Sequence, residues 1–114
     1  ADSTGSYDVV SAASLLCQVE DPSAVLQTLW AGVRPGGALL IVETTDRMSV
    51  DAVRNACATD AHSRMVMNRW AAARHGRALP DSLFAQVPAD SSTRVAFLDG
   101  CVAAHLFRCQ AAKG

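Results

Sequence analysis

The chain has 114 residues, of which 50% are hydrophobic and 18% are charged, and its formal net charge is -1. This length suits a single domain or part of one, and the apolar fraction is sufficient for a core, which argues against disorder. The near-neutral charge disfavours a surface that binds nucleic acid by neutralising many phosphates, and no apolar run approaches the ~20 residues that span a bilayer. We expect a soluble protein with no nucleic-acid or membrane partner.

The cysteines favour a reducing compartment. Cys17, Cys57, Cys101 and Cys109 form no CxxC pair, and none has zinc-finger spacing to a histidine. Each lies among apolar neighbours, which is typical of a free cysteine in a core. We therefore expect reduced thiols, a cytoplasmic location and no metal site.

The first apolar segment predicts a strand. Residues 7–13 (YDVVSAA) are rich in valine and lack a regular alternation of apolar and polar side chains. A run of this length is short for a helix and is typical of a parallel strand that is buried on both faces.

A helix and a second strand follow. Asp21 is a good N-cap, and Pro22 suits the first helical position, where its missing N–H costs nothing. Apolar residues at helical spacing then form one face: Val25, Leu26, Leu29, Trp30 and Val33. We expect the helix to end in the turn 34–37 (RPGG), before a buried strand near 38–43. Strand, helix and strand in this order predict a βαβ crossover.

The middle of the chain is predicted to be helical. Ser49 can cap a helix whose apolar positions include Val50, Val53, Ala56 and Cys57. Residues 61–75 predict further helix, with three side chains directed inward: Met65, Trp70 and Ala73. Whether these segments form one long helix or two stays open. A short helix is expected to begin at Pro80.

The last part of the chain predicts a hairpin. Asp99-Gly100 is a strong turn signal between strands near 93–98 and 101–108. His105 lies in the second of these strands and is expected to be a structural histidine. A crossover followed by helices and a hairpin predicts an α/β protein with a doubly wound, mostly parallel sheet that ends in an antiparallel hairpin.

Several ordered pieces carry a resemblance to a known family. They are the strand that Asp8 leads, the helix start at 19–22 (VEDP), the turn 34–37 before the next strand, and the terminal hairpin. Residues 69–87 are similar to the helical region that small-molecule members place between strands five and six. The chain resembles the C-terminal half of a class I S-adenosylmethionine-dependent methyltransferase of the small-molecule type. The resemblance implies that residues 1–114 form a single partial domain.

The resemblance also shows what the sequence lacks. Family members hold the cofactor with a glycine-rich loop after the first strand, and no GxGxG occurs here. Residues 7–13 would correspond to the fourth strand, so strands one to three must come from elsewhere. We expect an N-terminal half, supplied by another segment or chain, to pair with strand 7–13 and to bring S-adenosylmethionine binding with it.

The resemblance implies two groups of site residues. The cofactor would pass the small residues at the end of the first strand: Ser11, Ala12, Ala13 and Ser14. A small-molecule substrate would contact residues near the same rim: Cys17, Gln18, Glu43, Thr44, Thr45 and Trp70. Plain packing is the alternative for the small residues and for Trp70, a buried loop anchor is the alternative for Cys17, and a helix cap or a solvated position is the alternative for Glu43.

Two classes of function stay open. No catalytic residue is predicted, because methyl transfer to a nucleophilic acceptor depends mainly on alignment. The first class is a methyltransferase that its N-terminal half completes. The second is a non-catalytic, methyltransferase-like subunit of a larger assembly, which the missing glycine loop would suit.

Overall fold

The structure is a computed structural model that describes residues 5–56 and 60–110. In chain order the described elements are β1 (Tyr7–Ala13), a 3-10 turn (Leu16–Gln18), α1 (Pro22–Ala31), β2 (Val33–Thr44), α2 (Val50–Ala56), α3 (Ala61–Arg74), α4 (Asp81–Phe84), β3 (Ser91–Phe97) and β4 (Val102–Arg108).

These strands form one mixed sheet in the order β1-β2-β4-β3. The pair β1–β2 is parallel and is connected by α1, whereas β2–β4 and β4–β3 are antiparallel. The α/β class and the terminal hairpin are therefore confirmed. The hairpin turn contains Asp99 and Gly100 as predicted, and both residues have positive φ angles, of 56° and 84°.

The second strand begins earlier than the sequence analysis placed it. Helix α1 ends at Ala31 because the N–H of Gly32 already donates to the carbonyl of Leu29 at 3.1 Å. Val33, predicted to lie on the helix, instead pairs with Tyr7 at the start of β2. The expected turn 34–37 is a bulge within this strand.

The bulge is fixed by β1 on one side and by the end of β4 on the other. Tyr7 pairs with Val33 and Val9 pairs with Ala38, so two residues along β1 correspond to five along β2. Gly36 has a φ of 86°, which glycine adopts without strain, and its N–H donates to the carbonyl of Cys109 at 3.0 Å. The glycine-containing motif therefore connects β2 to the end of β4.

Side-chain caps begin α1, α2 and α3. Asp21 accepts a hydrogen bond from the N–H of Ala24 at 3.1 Å, and Ser49 accepts one from Ala52 at 3.0 Å, as predicted. Asp60 caps α3, which the sequence analysis did not anticipate. The described residues form two helices in this region, α2 and α3, and the prediction for Cys57 falls outside the described residues.

The inward face of α3 differs from the prediction. Met65 is 45% exposed and Ala73 is exposed, whereas Ala71 is fully buried. The contact stripe runs through Met67 and Ala71, four residues apart, because α2 packs on that side of the helix.

The described residues form two core clusters. The larger cluster packs α1 and α4 against one face of the sheet through Leu16, Leu26, Val33, Leu39, Ile41, Leu83, Phe84 and Phe107. The smaller cluster packs α2 and α3 near the hairpin turn through Met48, Val53, Ala71, Cys101 and Val102.

Strand β1 lies at the edge of the sheet. Val10 and Ala12 pack against the larger cluster, but Tyr7 and Val9 are each 64% exposed. The prediction that this strand is buried on both faces is wrong for this chain, because no described element covers the face opposite α1.

Substitution of Gly37 tests the close approach of β1 and β2 at the bulge. A Cβ at this position would lie 2.6 Å from the carbonyl oxygen of Asp8, a backbone atom that cannot move away without disturbing β1. We expect Gly37→Ala to lower the free energy of unfolding by roughly 1–3 kcal/mol in urea titrations. Gly32→Ala is the matched control, because its Cβ would meet its nearest neighbour at an ordinary 3.4 Å. Equal stability of the two variants would contradict the close approach.

Candidate functional site

The loop after β1 brings several predicted site residues together. Ser14 ends the strand with a φ of 54°, and its N–H donates to the carbonyl of Val42 on β2 at 2.8 Å. Its own carbonyl accepts a hydrogen bond from the side-chain amide of Gln18 and lies 3.7 Å from the sulfur of Cys17. The chain thus folds back so that Ser14, Cys17 and Gln18 meet at the carboxyl end of β1.

The four small residues of this strand end occupy different environments. Ser11 and Ala13 are exposed, whereas Ala12 and Ser14 are half-buried. Their short side chains leave the edge of the sheet open above the strand end. Contact of these residues with a cofactor stays a prediction.

Glu43 anchors the loop. This residue is only 2% exposed, and its Oε2 accepts a hydrogen bond from the N–H of Leu16 at 3.0 Å. A buried charge-assisted hydrogen bond of this kind is stronger than a neutral one. The other carboxylate oxygen, Oε1, has no hydrogen-bond partner in residues 5–56 and 60–110. Glu43 therefore connects the end of β2 to the loop after β1 and retains one free acceptor.

Cys17 lies beside this carboxylate. Burial raises the pKa of the Cys17 thiol, the negative charge of Glu43 raises it further, and Arg74 partly opposes both effects. A thiol with a raised pKa is protonated at neutral pH and is a poor nucleophile. This environment supports the interpretation of Cys17 as a buried anchor of the loop.

Thr44 and Thr45 open onto a separate cavity of about 440 Å³. The hydroxyl of Thr45 donates to the carbonyl of Gly100 and accepts from the N–H of Arg47 at 3.2 Å, so it also holds the hairpin turn. The rest of the lining comes from Asp46, residues 78–81, Phe84, Arg94 and His105.

His105, which was expected to be a structural histidine, also lines this cavity. Its ring stacks on Phe84 with 3.9 Å between ring centroids and 6° between planes. Burial lowers the pKa of His105, the positive charge of Arg94 lowers it further, and Asp81 acts in the opposite direction. The turn signal could have revealed the pairing with Arg94, because a hairpin centred on 99–100 places 94 opposite 105.

Trp70 belongs neither to the loop after β1 nor to the wall of the cavity at Thr44 and Thr45. It packs, half-buried, against the smaller core cluster with Met67.

No three histidine, cysteine or acidic side chains of the described ranges are arranged to hold a metal ion. No helix in this part of the chain is long and apolar enough to cross a membrane.

Comparison with known proteins defines the fold. No protein-family model matches the sequence, and neither does any curated protein. A possible exported protein from Bordetella parapertussis matches 96% of this chain with a TM-score of 0.63 and 15% identity. An O-methyltransferase family protein from Burkholderia thailandensis matches 96% of it with a TM-score of 0.57 and 20% identity.

The chain is shorter than both of these structures. It spans 41% of the Bordetella chain and 32% of the Burkholderia chain. At these identities the comparison shows a shared fold. The chain therefore shares its α/β fold with part of an O-methyltransferase family protein and with part of a possible exported protein.

Glu43→Gln tests the environment of Cys17. The variant keeps an oxygen for the N–H of Leu16 but removes the negative charge, so the pKa of Cys17 should fall. The test uses a chain in which the other three cysteines are replaced by serine, so that only Cys17 reacts. We expect iodoacetamide to alkylate Cys17 severalfold faster at about pH 8 in the Glu43→Gln variant than in the chain that keeps Glu43. Asp46→Asn, which removes an exposed carboxylate three positions further along the chain, is the control.

The full pH profile separates two explanations. A lower pKa moves the midpoint of the rate profile to lower pH, whereas a loosened loop multiplies the rate equally at every pH. An unmoved midpoint would show that Glu43 does not act on the thiol.

His105 makes stability depend on pH. Because its folded-state pKa lies below the ordinary value of 6.5, the unfolded chain binds more protons as the pH falls through that value. We therefore expect urea unfolding to show lower stability at about pH 5.5 than at about pH 7.5. Arg94→Gln should raise the pKa of His105 and reduce this difference, whereas Arg108→Gln should leave it unchanged. NMR titration of the imidazole would assign the effect to His105.

Proposed function

We propose that this chain is the C-terminal part of an S-adenosylmethionine-dependent methyltransferase that acts on a small molecule. The observation that carries the proposal is the strand order β1-β2-β4-β3, in which a parallel crossover is followed by an antiparallel hairpin. The fold shared with an O-methyltransferase family protein supports it. In this interpretation β1 is the fourth strand of the complete sheet, and its free edge faces the position of the first strand.

The exposed face of β1 supports the existence of an N-terminal half. Crossovers between parallel strands are right-handed, and α1 lies on the face that contains Val10 and Ala12. A sheet that continues beyond β1 in the opposite direction would place its crossover helices on the other face. That face carries Tyr7 and Val9, whose apolar side chains are exposed. An N-terminal half would pair with the edge of β1 and cover these side chains.

The cofactor would lie at the carboxyl end of β1. In open α/β sheets ligands bind outside the carboxyl ends of the strands where the winding changes direction, which is this edge. Ser11–Ser14 fit such a ligand, because small side chains allow it to approach the strand. When bound, S-adenosylmethionine supplies a methyl group on a positively charged sulfur. The glycine loop for the rest of the cofactor would come from the N-terminal half.

The chain's own residues would position the reactants. The hydrogen bond from Leu16 to Glu43 holds the loop that carries Gln18, so the rim of the site keeps one shape. Thr44 and Thr45 offer hydroxyl oxygens to a substrate at the neighbouring strand end. A protonated Cys17 does not remove a proton from the acceptor, and alignment would account for the rate.

A non-catalytic role is the second candidate. Cys17 and Glu43 are both engaged in holding the loop after β1, and neither is arranged as a nucleophile or base. A subunit that keeps the sheet for assembly alone would need the same contacts. We place either function in the cytoplasm, where the free thiols of Cys17, Cys101 and Cys109 would remain reduced.

Cofactor titration distinguishes the two candidates. We expect no saturable S-adenosylmethionine binding by calorimetry with the chain alone. Co-expression with an N-terminal half that carries strands one to three and the glycine loop should produce saturable binding. A stable complex that does not bind S-adenosylmethionine would support the role of a non-catalytic subunit. If no such half forms a complex, the proposed completion of the sheet is wrong.

Val9→Asp tests how the halves meet. Val9 is already exposed, so an aspartate should leave the isolated chain folded. In the complex the carboxylate would be buried without a partner, and we expect affinity for the N-terminal half to fall by more than about tenfold. Thr93→Asp, an exposed position at the opposite edge of the sheet, should have no such effect. Equal losses would contradict docking on β1.

A further inference from the structure

The cavity beside His105 is formed by this chain alone. Its wall combines the end of β2, residues 78–81, Phe84 of α4, and the facing hairpin residues Arg94 and His105. Its volume of about 440 Å³ lies within the range of small-molecule pockets. It needs no N-terminal half, and it is distinct from the loop after β1.

Opposite charges line the cavity together with His105. Arg94 lies directly opposite His105 across the hairpin, and Asp81 belongs to the wall of the same cavity. Arg94 lowers the pKa of the imidazole, and Asp81 acts in the opposite direction. The ion pairs among the described residues are Arg34–Asp8 and Arg54–Asp51, and neither includes Arg94 or Asp81. The guanidinium and the carboxylate therefore line the cavity without forming an ion pair with each other, and their charges are available to a ligand.

The balance of charge restricts the class of ligand. Two carboxylates, Asp46 and Asp81, line the cavity together with the single guanidinium of Arg94. A simple anion would be attracted by one group and repelled by two. A simple cation would leave the guanidinium without a partner. A molecule that carries both charges satisfies both sides.

We infer that this cavity binds a zwitterionic small molecule, with its carboxylate on Arg94 and its ammonium group on Asp81. The stacked rings of His105 and Phe84 form the floor over which the ligand lies. The ligand class is an amino-carboxylic acid, and the distance between Arg94 and Asp81 selects the number of carbons between its two charged groups. The inference does not require methyl transfer, although the cavity shares Thr44 and Thr45 with the proposed substrate rim.

A chain-length series tests the inference on the full chain. Glycine, β-alanine, 4-aminobutyrate and 6-aminohexanoate are titrated while the ring signals of His105 are followed by NMR. We expect binding in the millimolar range, with one member of the series preferred by at least about fivefold. Butyrate and butylamine each carry one of the two charges. Both should bind at least about tenfold more weakly than the preferred member of the series.

Charge-neutralising variants complete the test. Arg94→Gln and Asp81→Asn should each weaken binding of the preferred member by at least about tenfold, while circular dichroism shows an unchanged fold. Arg108→Gln and Asp99→Asn make the same charge changes at exposed positions outside the cavity and should have no effect. Absence of any shift at His105 would overturn the inference. So would equal binding of butyrate or butylamine, or equal losses in the control variants.

Discussion

The parallel pairing of β1 with β2 is the constraint on which the rest of the structure depends. Ala13 lies opposite Val42, so the two strands end together and place Ser14 and Glu43 at the same edge. The buried carboxylate can then reach the N–H of Leu16 and hold the loop between them. A shift of one residue in the register of β2 against β1 would turn Glu43 to the other face of the sheet and remove this hydrogen bond.

The same pairing leaves β1 with one unpaired edge and one uncovered face. Natural proteins rarely leave an apolar edge strand free, because it is a template for pairing with another chain. The larger core cluster shows that α1 and α4 stabilise only one side of this sheet. Strand β1 is therefore covered on the face that carries Val10 and exposed on the face that carries Val9, which is the physical basis for proposing an N-terminal half.

Local signals in the sequence predicted much of the fold. Asp21, Ser49 and the turn at Asp99-Gly100 act within a few residues of themselves, so their caps and hairpin were predictable. The start of β2 was not predictable in the same way. Residues 34–37 have the composition of a turn, but Gly36 bonds to Cys109, more than seventy positions away, and this contact makes the segment a bulge within a strand.

The sequence by itself determined the α/β class and the order of the elements, because periodicity, caps and turn residues operate locally. The group of site residues at the end of β1 was implied by the resemblance to a known family. The tertiary structure alone decided that Glu43 anchors a loop, that Ala71 replaces Met65 in the core, and that β1 is half exposed. It also decided that Asp81, Arg94 and His105 surround one cavity. Burial and charge depend on which elements pack together, and that information lies in contacts between residues distant in the chain.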